Sequence, residues 1–158
     1  MERVKITQEG YDRLMTKLED LKGRGRREVA DDLEEAASHG DLRENADYDA
    51  AKEKQGMLEA QIRLYEGHLG RADVVNVANL NTDRVQFGLV VTFENLNTEK
   101  VSEYQIVSEL EADLKEKRIS ATAPIIKPLL GREVGDIVEV VIGAGEVDIE
   151  IIEIKQPS

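Results

Sequence analysis

One helical seam constrains this chain more than any other feature of its sequence. Side chains that suit a helix interface recur from residue 48 to residue 72 at alternating spacings of three and four, without interruption. The series is Tyr48, Ala51, Gln55, Leu58, Ile62, Tyr65, Leu69 and Ala72. A repeat that averages about 3.5 residues keeps one stripe of a helix against a neighbouring helix. The stretch therefore predicts a long, paired helix, with both tyrosines as packing residues.

The partner of this helix is predicted in the preceding part of the chain. Thr7 is a suitable N-cap, and apolar residues follow it at the same spacings. They are Tyr11, Leu14, Leu18 and Leu21, and after a break Val29, Leu33 and either Ala36 or Ala37. Gly23 and Gly25 fall in the break, where each costs about 1 kcal/mol relative to Ala in a helix interior, and the seam resumes in a shifted register. We expect a bend or local irregularity there.

The two helices together predict an antiparallel hairpin. Only a few residues connect them, so they must be neighbours. About 30 residues per helix at 1.5 Å rise give an arm about 45 Å long. A compact core does not require that length, which indicates that the arm extends to reach a distant site. The basic run from Arg24 to Arg27 has two interpretations, a contact patch or a solvated helix face.

The connection between the helices, residues 40–47, holds the candidate functional residues of the arm. Gly40 suits the end of the first helix, and Asp41 or Asn45 suits the start of the second. Capping accounts for Asp41 alone, but the surrounding stretch holds more carboxylates than capping requires, with Arg43 as its only strong base. These carboxylates are Asp31, Asp32, Glu34, Glu35, Asp41, Glu44, Asp47 and Asp49.

Asp41 and Glu44 could share a cation. They are three residues apart, so on a helix or a tight turn both carboxylates lie on one face. Mg²⁺ prefers oxygen ligands, keeps several waters and is usually held by one or two carboxylates together with substrate phosphates. The pair alone therefore predicts weak Mg²⁺ binding that a partner must complete.

Composition limits what the arm can act on. A net charge of -12 and a pI near 4.7 argue against direct binding of free DNA or RNA, which requires clustered Lys and Arg. With no Trp, two Phe and four Tyr, the chain has no platform for stacking bases. The absence of Cys excludes disulfides and thiolate chemistry. No signal peptide or apolar run of about 18 residues appears, so we expect a cytoplasmic protein that works on another protein's scaffold.

A second domain, residues 78–158, is predicted to follow the hairpin of residues 1–77. Its apolar residues alternate with a period of two, which predicts strands, and a short helical stretch is expected after Pro124. The predicted strands cover residues 85–93, 101–107, 137–142 and 147–154. The last two form a hairpin with one polar face. The fold class is therefore predicted as α+β.

Two strings of sequence carry a resemblance to a known family. The strings GDLRENADYDAAKEKQ (residues 40–55) and ISATAPI (residues 119–125), with the hairpin and the total length, resemble the GreA family of bacterial transcript cleavage factors over essentially the whole chain. The resemblance implies a coiled-coil arm and an FKBP-like α+β domain. It implies that the arm enters the secondary channel of RNA polymerase, where tip carboxylates help to hold the second catalytic Mg²⁺ and its attacking water. The polymerase's own active site then cuts backtracked RNA, so the factor is an accessory and not an enzyme by itself.

The resemblance also assigns roles to particular residues. Asp41 and Glu44 match the metal-holding positions of the tip, and Lys52 keeps a basic residue that faces the RNA. The loop that docks on the rim of the channel corresponds to Thr122, Ala123, Pro124 and Ile125, with Ala123 where the family usually has serine. The implied partners are bacterial RNA polymerase and the 3′ end of backtracked RNA within it. We expect a monomer that binds neither free DNA nor membranes.

Two other functions compete with this interpretation. An inhibitor of the same family would enter the same channel and block catalysis, but the intact spacing of Asp41 and Glu44 argues against it. A chaperone-like binding module would expose apolar residues at the tip, where this chain offers only Leu42. An enzyme acting alone is not indicated, because the sequence shows no nucleophile–base pair or phosphate-binding loop. His68 is expected at the surface.

Overall fold

The computed structural model describes the backbone of residues 2–39 and 42–157, and the side chains of residues 2–38 and 46–157. The chain divides into two compact units. The helical unit is Tyr11–Arg71, and the sheet unit consists of Glu2–Gly10 and residues 72–157.

The helical unit is built from an antiparallel pair. Helix α1 (Gln8–Asp20) continues through a π-helical turn (Leu21–Gly25) into α2 (Arg26–His39), and α3 (Leu42–Gly70) returns along α2. Ion pairs that cross between the two directions show the antiparallel register. They are Lys22–Glu66 at 3.2 Å, Arg26–Glu59 at 2.8 Å and Lys54–Asp32 at 3.1 Å. The predicted helical hairpin is confirmed.

The predicted seam lies in the interface of the hairpin. Its buried members are Leu14, Leu18, Val29, Ala36, Ala51, Ile62, Tyr65 and Leu69. Tyr48, Gln55 and Leu58 are half-buried along the same stripe. Ala36 is buried and Ala37 is exposed, so the structure decides the alternative that the sequence left open.

The glycine interruption forms a π-helical turn, which confirms the predicted irregularity. A π turn holds more residues than an α turn, and here the Arg26 N–H is directed to the carbonyls of Leu21 and Gly23. The extra residue rotates the helix so that the seam can resume one position later. A Cβ on Gly25 would lie 3.2 Å from Cδ1 of Leu58, so the glycine also lets α3 approach closely.

The basic run beside this turn is engaged in exposed ion pairs. Arg24 donates to both carboxylate oxygens of Asp20, at 3.0 and 2.8 Å, and to Glu28 at 2.7 Å. These hydrogen bonds raise the pKa of Arg24 and lower the pKa of Asp20. Arg26 binds Glu59 through two nitrogens, at 3.0 and 2.8 Å. The structure therefore favours the solvated-face interpretation of this run.

The sheet unit contains two sheets. Strands β1 (Val4–Thr7) and β2 (Ala72–Val75) form a parallel pair. The larger sheet has the order β5-β4-β3-β7-β6, in which only the β4–β5 pair is parallel. Its strands are β3 (Val90–Asn95), β4 (Lys100–Val107), β5 (Arg118–Ser120), β6 (Ile137–Ile142) and β7 (Gly145–Lys155). The α+β class is confirmed, and the 3₁₀ turn Lys127–Leu129 is the short helical stretch expected after Pro124.

One face of the larger sheet forms the core. Alternate side chains of each strand point into it, as the period of two predicts. Its strand residues include Val91, Phe93, Ile106, Ile119, Val138, Val140, Ile149 and Ile151. The opposite face is mostly exposed and carries polar residues together with aliphatic residues such as Ile137 and Val141, whereas Val90 and Val107 are buried on it. An antiparallel sheet commonly has one solvated side.

Four expectations from the sequence differ from the structure. The strand predicted from Val85 begins only at Val90, because the backbone turns at Gly88, whose φ is +94°. Ala72 is the first residue of β2 and not the last of the helical seam. His68 is buried, with 7% exposure, instead of lying at the surface. The sheet unit takes in residues 2–10 and 72–77, whereas the sequence places the boundary after residue 77.

A carboxylate far along the chain completes the cap of α1. Thr7 Oγ1 accepts the Gly10 N–H at 2.9 Å, as the N-cap prediction requires. In a capping box, a Glu at the position of Gly10 would accept the N-cap N–H. Here Glu111 does so from another part of the chain, accepting Thr7 N–H at 3.4 Å and Thr7 Oγ1–H at 2.6 Å. A Cβ on Gly10 would overlap this buried carboxylate, so glycine is required there.

We expect Gly10→Ala to destabilise the protein by about 1–3 kcal/mol, since the new methyl group displaces a buried carboxylate from its hydrogen bonds. Urea unfolding followed by circular dichroism measures the effect. Gly56→Ala is the matched control, because a Cβ on Gly56 meets no atom within 4 Å. That control should stabilise α3 by up to about 1 kcal/mol. Equal stability of the two variants would contradict the role given to Glu111.

Candidate functional site

The structure places only part of the predicted tip pair. Helix α2 ends at His39 and α3 begins at Leu42, so the backbone of Glu44 lies in the first turn of α3. Asp41 lies outside the described residues, as does the side chain of Glu44. The convergence of these two carboxylates on one cation therefore stays a prediction. The described backbone puts Glu44 at the positive end of a long helix dipole, where a carboxylate is favoured.

Acidic side chains surround the described part of the hairpin end. On α2 they are Asp31, Asp32, Glu34 and Glu35, and on α3 they are Asp47, Asp49 and Glu53, all exposed. A groove of about 330 Å³ between these helices is lined by Asp32, Glu35 and Asp47 together with Lys54. Lys54 is bound to Asp32 at 3.1 Å. The local field is negative, which attracts cations and opposes close approach of RNA phosphates unless a cation lies between.

The described residues alone offer no metal centre. Among residues 2–38 and 46–157, no group of three or more His, Asp or Glu side chains could hold an ion. The donors of the tip pair are carboxylate oxygens, which suit Mg²⁺ chemically but supply only a fraction of an octahedral shell. The donor set therefore fits an ion that another molecule also holds.

Lys52 lies on α3 one turn after Tyr48. Its ammonium group is 5.9 Å from the centre of the Tyr48 ring and donates to Gln55 Oε1 at 3.5 Å. The face of an aromatic ring attracts a cation, so this contact favours one position of the lysine side chain. The ammonium group thus lies on α3 between Tyr48 and Gln55. Tyr48 was predicted as a packing residue only, although its spacing of four residues from Lys52 on a helix was a sufficient signal for this second contact.

The predicted docking loop presents two of its four residues. Thr122 and Pro124 are exposed, whereas Ala123 and Ile125 are half-buried against the core of the sheet unit. Ser120 Oγ accepts the Thr122 N–H at 3.1 Å and shares a hydrogen bond with Thr122 Oγ1 at 2.7 Å. Sequence reasoning did not single out Ser120, although serine two residues before a turn amide is a recognised signal.

Backbone hydrogen bonds close the same loop from its other side. The Ala123 carbonyl accepts from the N–H groups of Ile126 and Lys127, both at 2.9 Å. The Ala123 N–H donates to the Ser120 carbonyl at 3.0 Å. The loop is therefore an ordered turn that holds Thr122 and Pro124 outward.

Comparison with known proteins covers both halves of the chain. A family model described as "Transcription elongation factor, N-terminal" matches residues 4–74. A second, described as "Transcription elongation factor, GreA/GreB, C-term", matches residues 80–156. No helix within the described ranges is both long and apolar enough to cross a membrane.

Individual relatives match over nearly their whole length. The transcription elongation factor GreA of Rickettsia bellii (strain OSU 85-389) is 44% identical over 155 residues, which cover 98% of this chain and 96% of that protein. The protein of the same description from Trichlorobacter lovleyi is 45% identical over 152 residues, covering 96% of each. The crystal structure of GreA factor homolog 1 (Gfh1) of Thermus thermophilus is 30% identical and has a TM-score of 0.45, covering 97% of this chain and 99% of that one.

Ser120→Ala should loosen the docking loop without unfolding the sheet unit. It removes the acceptor of the Thr122 N–H, and a typical hydrogen bond contributes about 0.5–1.5 kcal/mol. Amide hydrogen exchange at Thr122 and Ala123 is therefore expected to accelerate severalfold. Thr98→Ala is the matched control, because Thr98 Oγ1 accepts the Lys100 N–H in a different exposed turn. Unchanged exchange at Thr122 would show that Ser120 does not order the loop.

Proposed function

Because this chain belongs to the GreA/GreB family of transcription elongation factors, we propose that it binds bacterial RNA polymerase and stimulates the polymerase's cleavage of backtracked RNA. The hairpin would enter the secondary channel of the polymerase. The observation that carries the proposal is the acidic hairpin end, where α2 stops at His39, α3 starts at Leu42 and Glu44 falls in the first turn. Among the described side chains near this end, Glu35, Asp47 and Asp49 are exposed carboxylates.

The tip residues Asp41 and Glu44 would share a Mg²⁺ ion with the polymerase. In two-metal phosphodiester cleavage, a bound ion activates the attacking water or stabilises the leaving oxygen. The part of this chain is to supply oxygen ligands that are too few to bind the ion alone, so that the shell closes only when polymerase carboxylates and the RNA phosphate are present. The factor is in this view an accessory, and the cleaving centre belongs to the polymerase.

Two further groups of residues support the same function. Lys52, held over the Tyr48 ring, would face the backtracked RNA and offset some of the negative field around the tip. Thr122 and Pro124 would contact the rim of the channel, and Ala123 and Ile125 would anchor the loop from within. Separate tip and docking surfaces imply that cleavage and binding can be lost independently.

The paired variant Asp41→Asn/Glu44→Gln should abolish stimulation while leaving binding nearly unchanged. Removing charged ligands from a catalytic centre typically costs about 100-fold or more in rate. The measurement is cleavage of 3′-backtracked RNA in a stalled bacterial polymerase complex across Mg²⁺ concentrations, with binding measured in parallel. Glu53→Gln is the matched control, since Glu53 is an exposed acid on α3 outside the pair. This control should stimulate cleavage by the polymerase as strongly as the wild type does.

Other results of that experiment would select other functions. A wild type that binds the polymerase and only slows synthesis would be an inhibitor of the same channel. A wild type that does not bind at all would share the architecture of the family without its function. Loss of binding together with cleavage in the paired variant would contradict the separation of the two surfaces.

The free protein should bind Mg²⁺ weakly and at the tip. In a titration followed by ¹H–¹⁵N NMR, we expect amide shifts centred on residues 41–48 that saturate only at millimolar Mg²⁺, because two carboxylates leave most of the shell to water. The Asp41→Asn/Glu44→Gln variant should lose them, and Glu53→Gln should keep them. Saturation at micromolar Mg²⁺ would reveal a complete site, and shifts that persist in the paired variant would indicate diffuse attraction by the acidic helices.

A further inference from the structure

Strand β6 is an unprotected edge of the larger sheet. It lies at one end of the strand order and pairs with β7 alone. Proteins usually protect such edges with lysine, proline, a bulge or a very short strand. The opposite edge strand β5 has only three residues and is extended by a bridge between Asp113 and Arg118. Strand β6 has six residues, Ile-Val-Glu-Val-Val-Ile, with one charge and none of those devices.

Aliphatic side chains are exposed along this edge. Ile137 is 61% exposed, Val141 62% and Ile142 42%. Ile137 and Val141 alternate with Val138 and Val140, which are buried in the core, whereas Ile142 is the last residue of the strand on the core side. A row of exposed, β-branched side chains on a rigid open edge is a characteristic of surfaces that bind another chain.

The carboxylates on and beside β6 determine which kind of chain can bind at this edge. Glu139 lies between Ile137 and Val141 on the exposed face of β6 and is opposite Asp148 of β7. Glu146 and Glu150 lie on the same face of β7, opposite Val141 and Ile137. A hydrogen bond and charge repulsion from Glu146 raise the pKa of Glu139, because the neighbouring carboxylate disfavours ionisation of Glu139. A cation placed here relieves that repulsion.

A second copy of this chain is a poor occupant of the edge. Pairing β6 with β6 would bring the same carboxylates together, and like charges across strands are destabilising. The net charge of -12 adds long-range repulsion between copies. Both the carboxylates near β6 and the negative net charge of the chain favour the binding of a basic partner.

We propose that β6 is a docking edge for an extended, basic segment of a partner protein, which adds to the sheet as a sixth strand beside β6. Backbone hydrogen bonds to the open edge would supply the pairing. Side-chain pairs across the two strands would supply the selectivity. The partner would place a Lys or Arg opposite Glu139, and aliphatic residues two positions away on each side would lie opposite Ile137 and Val141. The inference concerns the sheet unit alone and does not rest on the function proposed for the tip.

A defined peptide tests the docking edge. The probe is an acetylated and amidated peptide with the core Val-Thr-Lys-Thr-Val, compared with the same peptide carrying Glu in place of Lys. In NMR titrations we expect the basic peptide to shift β6 amides and to slow hydrogen exchange at alternate residues from Ile137 to Ile142, with weaker binding at high salt. The acidic peptide should bind at least fivefold more weakly.

Two edge variants and one control complete the test. Val141→Lys places a charge on the exposed edge, and Glu139→Lys reverses the selecting charge, so each should weaken binding of the basic peptide at least fivefold. Val101→Lys is the matched control, because Val101 is an equally exposed valine (57%) on β4, which β3 and β7 separate from β6 in the same sheet. It should bind the peptide like the wild type.

Three results would overturn the proposal. They are equal binding of the two peptides, equal loss of binding in Val101→Lys and Val141→Lys, and self-association of the protein in sedimentation velocity that Val141→Lys removes. The last result would assign the edge to a second copy. None of them affects cleavage in the polymerase assay, so failure here is distinguishable from failure of the tip function.

Discussion

The parallel pairing of β1 with β2 is the constraint on which the chain's organisation depends. Val4–Thr7 and Ala72–Val75 hydrogen-bond side by side, although the whole helical unit lies between them in the sequence. Parallel neighbours always need a long crossover, and here the crossover is the hairpin itself. Glu111 strengthens the junction, because its buried carboxylate accepts from Thr7 at the point where β1 ends and α1 begins. The helical excursion therefore starts and finishes in the sheet unit.

In the helical unit, two glycines that destabilise their own helix improve its packing against α3. Gly23 and Gly25 weaken the helix, yet the π turn that contains them adds the residue by which the seam is shifted. Without that turn, Val29 and Ala36 would rotate away from α3. The exposed Arg24 pairs with Asp20 and Glu28 across the same turn, which links the helical segments on either side of it.

Negative charge is used differently in the two units. At the end of the hairpin, exposed carboxylates on α2 and α3 make a field that suits a cation shared with another molecule. On the sheet, Glu139 and Glu146 lie among exposed aliphatic residues, and their repulsion raises the pKa of Glu139. In both places a positively charged partner would relieve the repulsion, and we propose an ion in one case and a basic segment in the other. The acidity of the chain thus matches surfaces that are completed by binding.

The sequence by itself determined the parts of this protein that depend on periodicity and local chemistry. The seam from Tyr48 to Leu69, the irregularity at Gly25, the cap at Thr7 and the hairpin of β6 and β7 were all predictable, because each is encoded by residues close together in the chain. The tip pair Asp41 and Glu44 was identified by spacing and resemblance, and its geometry remains a prediction.

Only the tertiary structure decided the features that join distant residues. The pairing of β1 with β2, the capping of Thr7 by Glu111 and the burial of His68 have no local signature, since each depends on contacts between segments far apart in sequence. The position of β6 at the edge of its sheet also has no local signature. Residues alternate between the two faces with a period of two in edge strands and central strands alike. The order of the strands follows from tertiary packing, and this order leaves one edge of β6 without a neighbouring strand.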